Sequence, residues 1–371
     1  MPHLALVYCE WKGTLPMRKI VLVLLTALWL CIAASAAGET AAGDTLTLSF
    51  VGDCSIGDSY RTRNYDKGFA KTVDKNGFDW PFSLIRAYLD ADDVTVANLE
   101  VVFTTQKKQA NKDMNLIADP KYVGVLLESG VDVVNTANNH SYDFMAAGYQ
   151  ESIKTLDDAG IPHFGTISPG STRMVDKILV HEAKGIKIGF VGFTYPQNSD
   201  IERIAQRIQA LRDQGCSLVI ASLHWGRELH ATPNSGQYSY AKKILDAGAD
   251  VLYGHHPHIL QPVHFYNGKP IFYSLGNFTF GTMGRADPDT GIFQLRYRLT
   301  KDGPELENFT VIPCRTQGAG DYRPYELTEE AARQAMLKKL VFKRETKGMQ
   351  NLPAAFVQTG SVDFMNGEMG K

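Results

Sequence analysis

The chain has 371 residues, of which 44% are hydrophobic and 21% are charged. These proportions are ordinary for a soluble globular protein, and they exclude a disordered, collagenous or multi-span membrane chain. Lysine plus arginine (38) nearly balances aspartate plus glutamate (40). Because there is no overall positive charge that would attract nucleic acid, we expect no nucleic-acid partner.

The amino-terminal residues carry an export pattern. Residues 1–16 read poorly as a charged leader, so we predict that they are a mis-started extension and that translation starts at Met17. Met17-Arg18-Lys19 precedes an apolar run that closes with Ala34-Ser35-Ala36, the order found in a secretory signal peptide. We therefore predict that residues 17–36 are cleaved and that the protein acts in the periplasm or cell envelope. An uncleaved signal anchor is the alternative, since about 18 apolar residues can just span a bilayer.

From residue 45 onward, apolar runs alternate with amphipathic segments, which is typical of an α/β fold. The predicted strands are Leu46–Gly52, Val94–Leu99, Asp132–Thr136, Lys187–Phe193, Ser217–Leu223, Asp250–Tyr253 and Pro270–Ser274. The predicted helices are Pro81–Leu89, Pro120–Ser129, Ala146–Ala159, Ile201–Gln214 and Tyr238–Ala247. Strict alternation in Phe293–Leu299 and Glu307–Ile312 predicts antiparallel strands that close the sheet.

We assign residues 45–325 to one domain. Beyond it, residues 326–371 are predicted to form a charged helix over Glu326–Lys347 and then a loosely ordered tail. Three cysteines follow the leader, at Cys54, Cys216 and Cys314, and no CxxC spacing occurs. This odd and sparse set is no disulfide framework, so we expect any metal ion to be held by nitrogen and oxygen ligands.

Polar residues follow the predicted strands at five points, where α/β sheets collect their ligands. The five groups are Asp53, Asn98-Leu99-Glu100, Asn138-Asn139-His140, His224-Trp225-Gly226-Arg227-Glu228 and Gly254-His255-His256-Pro257-His258. Each group alone has an ordinary explanation as a helix cap or a hydrogen-bonded turn. Five such coincidences together predict a single site for a divalent metal ion.

The ligand types indicate which ion and which chemistry to expect. His256 and His258 stand two positions apart and can chelate a metal ion. A mixed nitrogen and oxygen set suits Zn, Mn or Fe better than Ca or Mg. Since such an ion lowers the pKa of bound water, hydrolysis is the expected chemistry. Arg227 and Glu228 could reach the same pocket, with Arg227 on an anionic carboxylate or phosphate, although a surface ion pair explains them equally well.

Six motifs resemble those of the CapA-type poly-γ-glutamate capsule synthesis family, over roughly residues 46–290. In order, they are Gly52-Asp53, Ala97–Glu100, Asn138–His140, His224–Glu228, Gly254–His258 and Ser274–Phe278. This family is similar in fold to calcineurin-like metallophosphoesterases. The resemblance implies a four-layer α/β/β/α sandwich, in which two sheets form the core and helices flank them.

The resemblance also implies roles for individual residues. Metal ligands would be Asp53, Glu100, Asn139, His224, His256 and His258, and His140 would donate a proton to a leaving group. Two departures from the phosphoesterase pattern are visible. Ser55 replaces a histidine ligand, which favours one ion over two, and Glu100 replaces the usual aspartate.

Three functions follow from these patterns. The first is an exported envelope protein that acts in the synthesis, release or export of an anionic poly-γ-glutamate-type polymer, with membrane synthase components as partners. The second is a free-standing metal-dependent hydrolase of a phosphoester or an amide. The third is a metal-stabilised module that binds polymer without turnover.

Overall fold

The computed structural model describes residues 44–167, 175–281, 286–342 and 346–367. The strands, β1 to β20, are Thr45–Ser55, Asp58–Ser59, Val94–Leu99, Val102–Phe103, Leu116–Ala118, Val133–Asn135, His163–Ile167, Val175–Lys177, Leu179–Ala183, Ile186–Thr194, Leu218–His224, Val251–His255, Val263–Tyr266, Lys269–Phe272, Asn277–Phe280, Asp289–Thr300, Gly303–Thr316, Pro324–Glu326, Gln350–Asn351 and Ser361–Asp363. The helices, α1 to α8, are Phe69–Asn76, Arg86–Leu89, Val123–Leu127, Met145–Asp158, Asn198–Asp213, Ser235–Asp246, Glu330–Leu340 and Phe356–Thr359. Short 3₁₀ turns cover Trp80–Phe82 and Pro120–Tyr122.

Most strands belong to two sheets that meet at β7. In the first sheet, β6, β3 and β1 run parallel, and β16 and β17 continue it as an antiparallel hairpin. In the second sheet, β10, β11, β12 and β14 run parallel, with β9 and β13 antiparallel at its sides. β7 pairs with both β6 and β10 and so joins the sheets. β2, β5 and β4 form a separate small sheet.

The two sheets pack face to face, and helices cover both outer faces. Phe50 and Val96 of the first sheet share one buried cluster with Phe190 and Ile220 of the second. A second cluster joins the outer face of the first sheet to α1 and the short helices after it. A third joins the outer face of the second sheet to α5 and α6. The predicted α/β class and the four-layer α/β/β/α sandwich are therefore confirmed.

Several predicted elements match closely, and others differ for local reasons. The strand Val94–Leu99 is observed with the predicted bounds, and the closing antiparallel hairpin is confirmed. The predicted helix Pro81–Leu89 is instead a 3₁₀ turn followed by the single-turn helix α2. Helix α1 was not predicted, because the side chain that caps it is distant in sequence. Asp58 accepts hydrogen bonds from the N–H groups of Phe69 at 2.7 Å and of Ala70 at 2.9 Å.

The residues that follow the assigned domain pack onto it. Helix α7 is shorter than predicted, and the side chain of Glu329 caps it by accepting hydrogen bonds from the N–H groups of Ala331 and Ala332. Strand β20 pairs with β17, and Phe356 and Val362 are fully buried. Residues 346–367 are therefore packed against the domain, which differs from the loosely ordered tail expected from the weak sequence pattern. The local pattern did not predict this packing, because the residues that pair with this segment lie far away in the chain.

The export prediction concerns a part of the chain that the structure does not describe. The predicted extension and signal peptide, residues 1–36, lie outside the described residues. Within the described ranges, no helix combines the length and the apolar character needed to cross a membrane.

Candidate functional site

The carboxyl ends of strands from both sheets meet at one place, and the residues that follow them converge there. β1 comes close to β15 at this edge because residue 52 has no side chain. A Cβ atom on Gly52 would lie 2.1 Å from the carbonyl oxygen of Gly276. The N–H of Asp53 donates to that same oxygen at 2.9 Å. The glycine therefore lets the backbone of Asp53 be held by β15.

Two carboxylates, those of Asp53 and Glu100, form the centre of the site, and both residues are fully buried. The amide of Asn98 donates to Asp53 Oδ1 at 2.8 Å and to Glu100 Oε2 at 3.2 Å. His258 completes the group, with Nδ1 3.2 Å from Asp53 Oδ2 and Nε2 3.8 Å from Glu100 Oε1. One ligand atom from each of Asp53, Glu100 and His258 lies within 4.8 Å of the others. A single cation could therefore contact all three side chains.

Further potential ligands surround Glu100. The Nε2 atom of His140 lies 3.7 Å from Glu100 Oε1, and that of His224 lies 3.9 Å from the same oxygen. Asn139 precedes His140 in the loop after β6, and its side-chain oxygen is buried without a hydrogen-bond partner. Its backbone oxygen accepts a hydrogen bond from Lys112 Nζ at 3.0 Å. This loop therefore presents an amide oxygen and an imidazole at the same edge.

The orientation of His140 is set by its other ring nitrogen. His140 Nδ1 lies 2.7 Å from Asp143 Oδ2. A carboxylate can only accept, and its contact with Nδ1 is shorter than the 3.2 Å from Lys112 Nζ to Nδ1, so we assign the proton to Nδ1, which leaves Nε2 facing Glu100. Lys112 Nζ lies 2.5 Å from Asp143 Oδ1 and balances its charge. Asn138 anchors the loop to β3 by donating to the carbonyl oxygen of Leu99 at 2.7 Å.

The opposite side of the site is built by His256 and the residues around it. Its ring centre lies 4.9 Å from that of His224, and Tyr195 Oη lies 3.0 Å from His256 Nε2. Ligand atoms of Glu228, His256 and His258 also lie within 4.8 Å of one another. The φ angles of His256 (96°) and His258 (58°) are in the left-handed region, where non-glycine residues are strained. Such strain concentrates at binding and catalytic sites.

Buried polar atoms that lack hydrogen-bond partners indicate whether the residues of the site suit a metal ion. At this edge of the described structure they include Ser55 Oγ, Glu100 Oε1, Asn139 Oδ1, both ring nitrogens of His224 and Nε2 of His255. Leaving a buried polar atom unpaired costs about 1–3 kcal/mol, so such a concentration calls for an additional partner. Oxygen and imidazole nitrogen atoms are the ligands that Zn, Mn and Fe accept. The residues present therefore fit a divalent cation.

The buried carboxyl and imidazole groups of the site have pKa values shifted in different directions. Burial alone would raise the pKa of Asp53, but the nearby His255 and His258 lower it well below its usual range. Burial, and then the negative charge of Asp53, raise the pKa of Glu100 well above its usual 4.5. Burial, and then the imidazole of His256, hold the pKa of His224 well below its usual value. His224 is thus neutral and keeps a free lone pair, as metal ligation requires.

The structure brings most of the predicted site residues together. Those at this edge are Asp53, Glu100, His140, His224, Glu228, His256 and His258, and Asn139 directly precedes His140 in the loop after β6. The side chain of Arg227 is exposed, and it forms no hydrogen bond or ion pair with any described residue. Ser55, which stands in place of an expected histidine ligand, is fully buried. Their roles as ligands and catalytic groups stay predictions.

Among the residues that sequence reasoning missed, Tyr195 and His255 lie at strand ends, where the pattern used for the other site residues would have found them. Tyr195 directly follows β10, whose last residue, Thr194, pairs with His224. His255 ends β12, and its Nδ1 lies 2.9 Å from Asp53 Oδ1. Sequence reasoning selected its neighbours His256 and His258 as the chelating pair and so passed over it.

Comparisons with known proteins agree with the resemblance read from the motifs. The chain is 30% identical over 367 residues to the PGA biosynthesis protein CapA of Bacillus subtilis (strain 168), covering 93% of this chain and 89% of that protein. It is 29% identical over 322 residues to the capsule biosynthesis protein CapA of Bacillus anthracis, covering 80% and 74%. It is 27% identical over 224 residues to a probable polyglutamine synthesis accessory protein of Mycobacterium tuberculosis (strain CDC 1551 / Oshkosh), covering 53% and 59%. The profile of the bacterial capsule synthesis protein PGA_cap matches residues 47–282, and the chain belongs to this family.

Proposed function

We propose that this protein acts in the synthesis of a poly-γ-glutamate-type capsule polymer. We propose further that it acts through a divalent-metal site at the edge where the carboxyl ends of strands from its two sheets meet. The names of the two Bacillus relatives support the polymer. The observation that carries the metal site is the buried group of Asp53, Glu100 and His258, whose ligand atoms lie within 4.8 Å of one another.

The side chains suggest how the ion would be held. Asp53, Glu100 and His258 would be its central ligands, and Asn139 and His224 offer further unpaired ligand atoms. The donor types favour Mn, Zn or Fe. Because Ser55 supplies no imidazole, one ion is favoured over two. A bound ion of this kind would polarise a carbonyl or phosphoryl oxygen and lower the pKa of water.

We also propose that the protein works outside the cytoplasm. The support is the charged, apolar and small-residue order of residues 17–36, which is typical of a signal peptide. Amino-terminal sequencing of the protein recovered from the cell envelope tests this. A mature terminus shortly after Ala36 is expected, and a chain that retains Met17 would instead indicate a membrane anchor.

Hydrolysis by this site is the second candidate function, and one arrangement favours it. His140 is oriented by Asp143 at 2.7 Å, so that its Nε2 faces the carboxylates. An imidazole held in this way can transfer a proton to or from a reacting group. The substrate would be a γ-glutamyl amide of the polymer or a phosphoester.

Metal analysis of the purified protein tests the proposed site. We expect about one equivalent of a transition metal in the wild type and a large loss in Asp53→Asn and His258→Ala. His181→Ala is the matched control, because His181 lies in β9, outside the carboxyl-end cluster. Equal metal content in all four proteins, or none in the wild type, would overturn the metal site.

Turnover separates the hydrolase from a binding role. The assay follows cleavage of poly-γ-glutamate and of a generic phosphodiester by the metal-loaded wild type and by His140→Ala. A hydrolase should lose turnover in His140→Ala while it keeps its metal. If the metal-loaded wild type cleaves neither substrate, the hydrolase role is wrong for both substrate classes and a binding role without turnover is favoured.

A further inference from the structure

The small sheet places two exposed loops side by side at the metal-site edge. Residues 60–67 follow β2, and residues 104–115 connect β4 with β5. In the antiparallel pairing of β2 with β5, Ser59 lies opposite Leu116, so one loop begins where the other ends. The N–H of Tyr60 also donates to the carbonyl oxygen of Asn115 at 2.8 Å. The two loops therefore form one continuous surface.

This surface is strongly basic, in contrast to the formal net charge of −2 for the whole chain. Residues 60–67 and 105–113 contain six basic and only two acidic residues. We call the six basic residues the basic rim; they are Arg61, Arg63, Lys67, Lys107, Lys108 and Lys112. Of the two acids, Asp66 is already paired with Lys71, at 2.9 Å.

Most charges of the basic rim are open to a ligand. Arg61, Lys67, Lys107 and Lys108 are exposed, and none of the four forms an ion pair with a described residue. Arg63 is held more firmly, since its guanidinium lies 3.6 Å from the centre of the Tyr60 ring and donates to the Tyr60 carbonyl oxygen. Exposed like charges repel one another unless an anion lies between them.

Direct contacts tie the basic rim to the candidate metal site. Lys112 reaches the loop after β6, with Nζ 3.0 Å from the Asn139 carbonyl oxygen and 3.2 Å from His140 Nδ1. The N–H of Ala110 donates to the carbonyl oxygen of Asp143 at 2.8 Å. An anionic chain lying on the two loops would therefore run directly up to His140.

We propose that the basic rim is a binding surface for a chain of repeated carboxylates, which it holds in place next to the metal site. This inference rests on the proposed function, because it names the surface by which that polymer is recognised. Several weak ion pairs along one chain give affinity through their number, since each exposed pair contributes little alone. The polymer is thus recognised over several residues beside the reacting position, and free glutamate is bound weakly.

Binding of poly-γ-glutamate to the purified full chain tests the proposal. The variant is Lys107→Ser/Lys108→Ser, and the matched control is Lys187→Ser/Lys301→Ser, which removes the same charge. Lys187 is the second residue of β10, and Lys301 lies in the turn after β16, at the opposite end of the parallel strands from the metal site. Metal content is measured for each protein, because it should be unchanged in both variants.

We expect the rim variant to bind the polymer about 2- to 30-fold more weakly at low salt, as two exposed ion pairs imply. The control should bind like the wild type. Because exposed charges are screened over about 10 Å at 0.1 M salt, the difference should shrink as salt increases. Equal affinity of the rim variant and the control would overturn the proposal. Polyphosphate binding is measured in the same way. If the rim variant loses polyphosphate binding but keeps poly-γ-glutamate binding, the assignment to carboxylates is wrong.

The same experiment keeps this inference separate from the proposed function. If the wild type binds metal but does not bind poly-γ-glutamate, the polymer role itself fails. If the wild type binds the polymer and the rim variant does so equally well, the polymer role stands, and only the assignment of its binding surface is wrong.

Discussion

Replacement of Glu100 by glutamine should stabilise the metal-free protein and at the same time remove its response to metal. Glu100 is fully buried, its Oε1 lacks a hydrogen-bond partner, and burial together with Asp53 raises its pKa well above 4.5. A carboxyl group whose pKa is raised by folding contributes stability that is complete below its unfolded pKa and is lost as pH rises through the folded value. Wild-type metal-free protein should therefore lose stability upward from about pH 4.5.

Glutamine keeps the shape of Glu100 but has no charge to desolvate. Removing one uncompensated buried group corresponds to about 1–3 kcal/mol. For a protein of this size, about 2 °C of melting temperature corresponds to 1 kcal/mol, so the metal-free Glu100→Gln protein should melt about 2–6 °C higher at pH 8. At pH 4 the two proteins should melt together, because the wild-type carboxyl group is then protonated.

Thermal melting with and without Mn²⁺ or Zn²⁺ measures both effects. At a metal concentration of about 100 times Kd, the wild type should gain about 2.7 kcal/mol, or roughly 5 °C. The Glu100→Gln protein should gain little. Glu182→Gln, an exposed substitution in β9, is the control and should behave like the wild type. The reasoning is refuted if Glu100→Gln melts below the wild type without metal at pH 8, or if it keeps the full metal response.

Three further predictions test other parts of the structure. Gly52→Ala should destabilise the protein by about 1–3 kcal/mol and lower its metal content, because the new Cβ atom would lie 2.1 Å from the Gly276 carbonyl oxygen. Denaturant unfolding and metal analysis measure the two effects, and an unchanged unfolding midpoint would contradict the prediction. If the site is hydrolytic, Asp143→Asn should lower turnover about 10- to 100-fold by releasing His140, with metal content retained; equal turnover would show that Asp143 does not position His140. Burial raises the pKa of Asp92 to about 7, so Asp92→Asn should stabilise the protein at pH 8 and have little effect at pH 4. Urea unfolding midpoints at the two pH values measure this difference. A larger gain in stability at pH 4 than at pH 8 would contradict the prediction.

The sequence located the strand ends that meet at the candidate site, because the strands that carry it have strong local signals. Val94–Leu99 is a mostly apolar run interrupted only by Thr95 and Asn98, and Glu100 could be located directly after it. The position of Tyr195 follows from the same rule, applied to β10. Its hydrogen bond to His256 could not be predicted, because these residues lie 61 positions apart and meet only through the pairing of β10, β11 and β12.

Elements that depend on distant partners were the ones that local patterns missed. β15 has four residues, and it is held at the site by pairing with β1, where Asp53 lies opposite Asn277. Helix α1 depends on a cap supplied by Asp58. The segment that contains β20 is stabilised by pairing with β17. In each case the stabilising contact is made by a residue outside the element, so the pattern within the element does not predict it.

The central position of β1 also has a consequence for how the chain folds. β1 is the first described strand, yet its antiparallel neighbour is β16, and the side chains of Ser49 and Gln294, 245 positions apart, are hydrogen-bonded. Contacts of such high sequence separation make folding slow, because a long loop must close before they form. Until β16 is available, β1 has an open edge that can pair with other chains. We therefore expect this protein to depend on protection from aggregation until nearly the whole chain can fold.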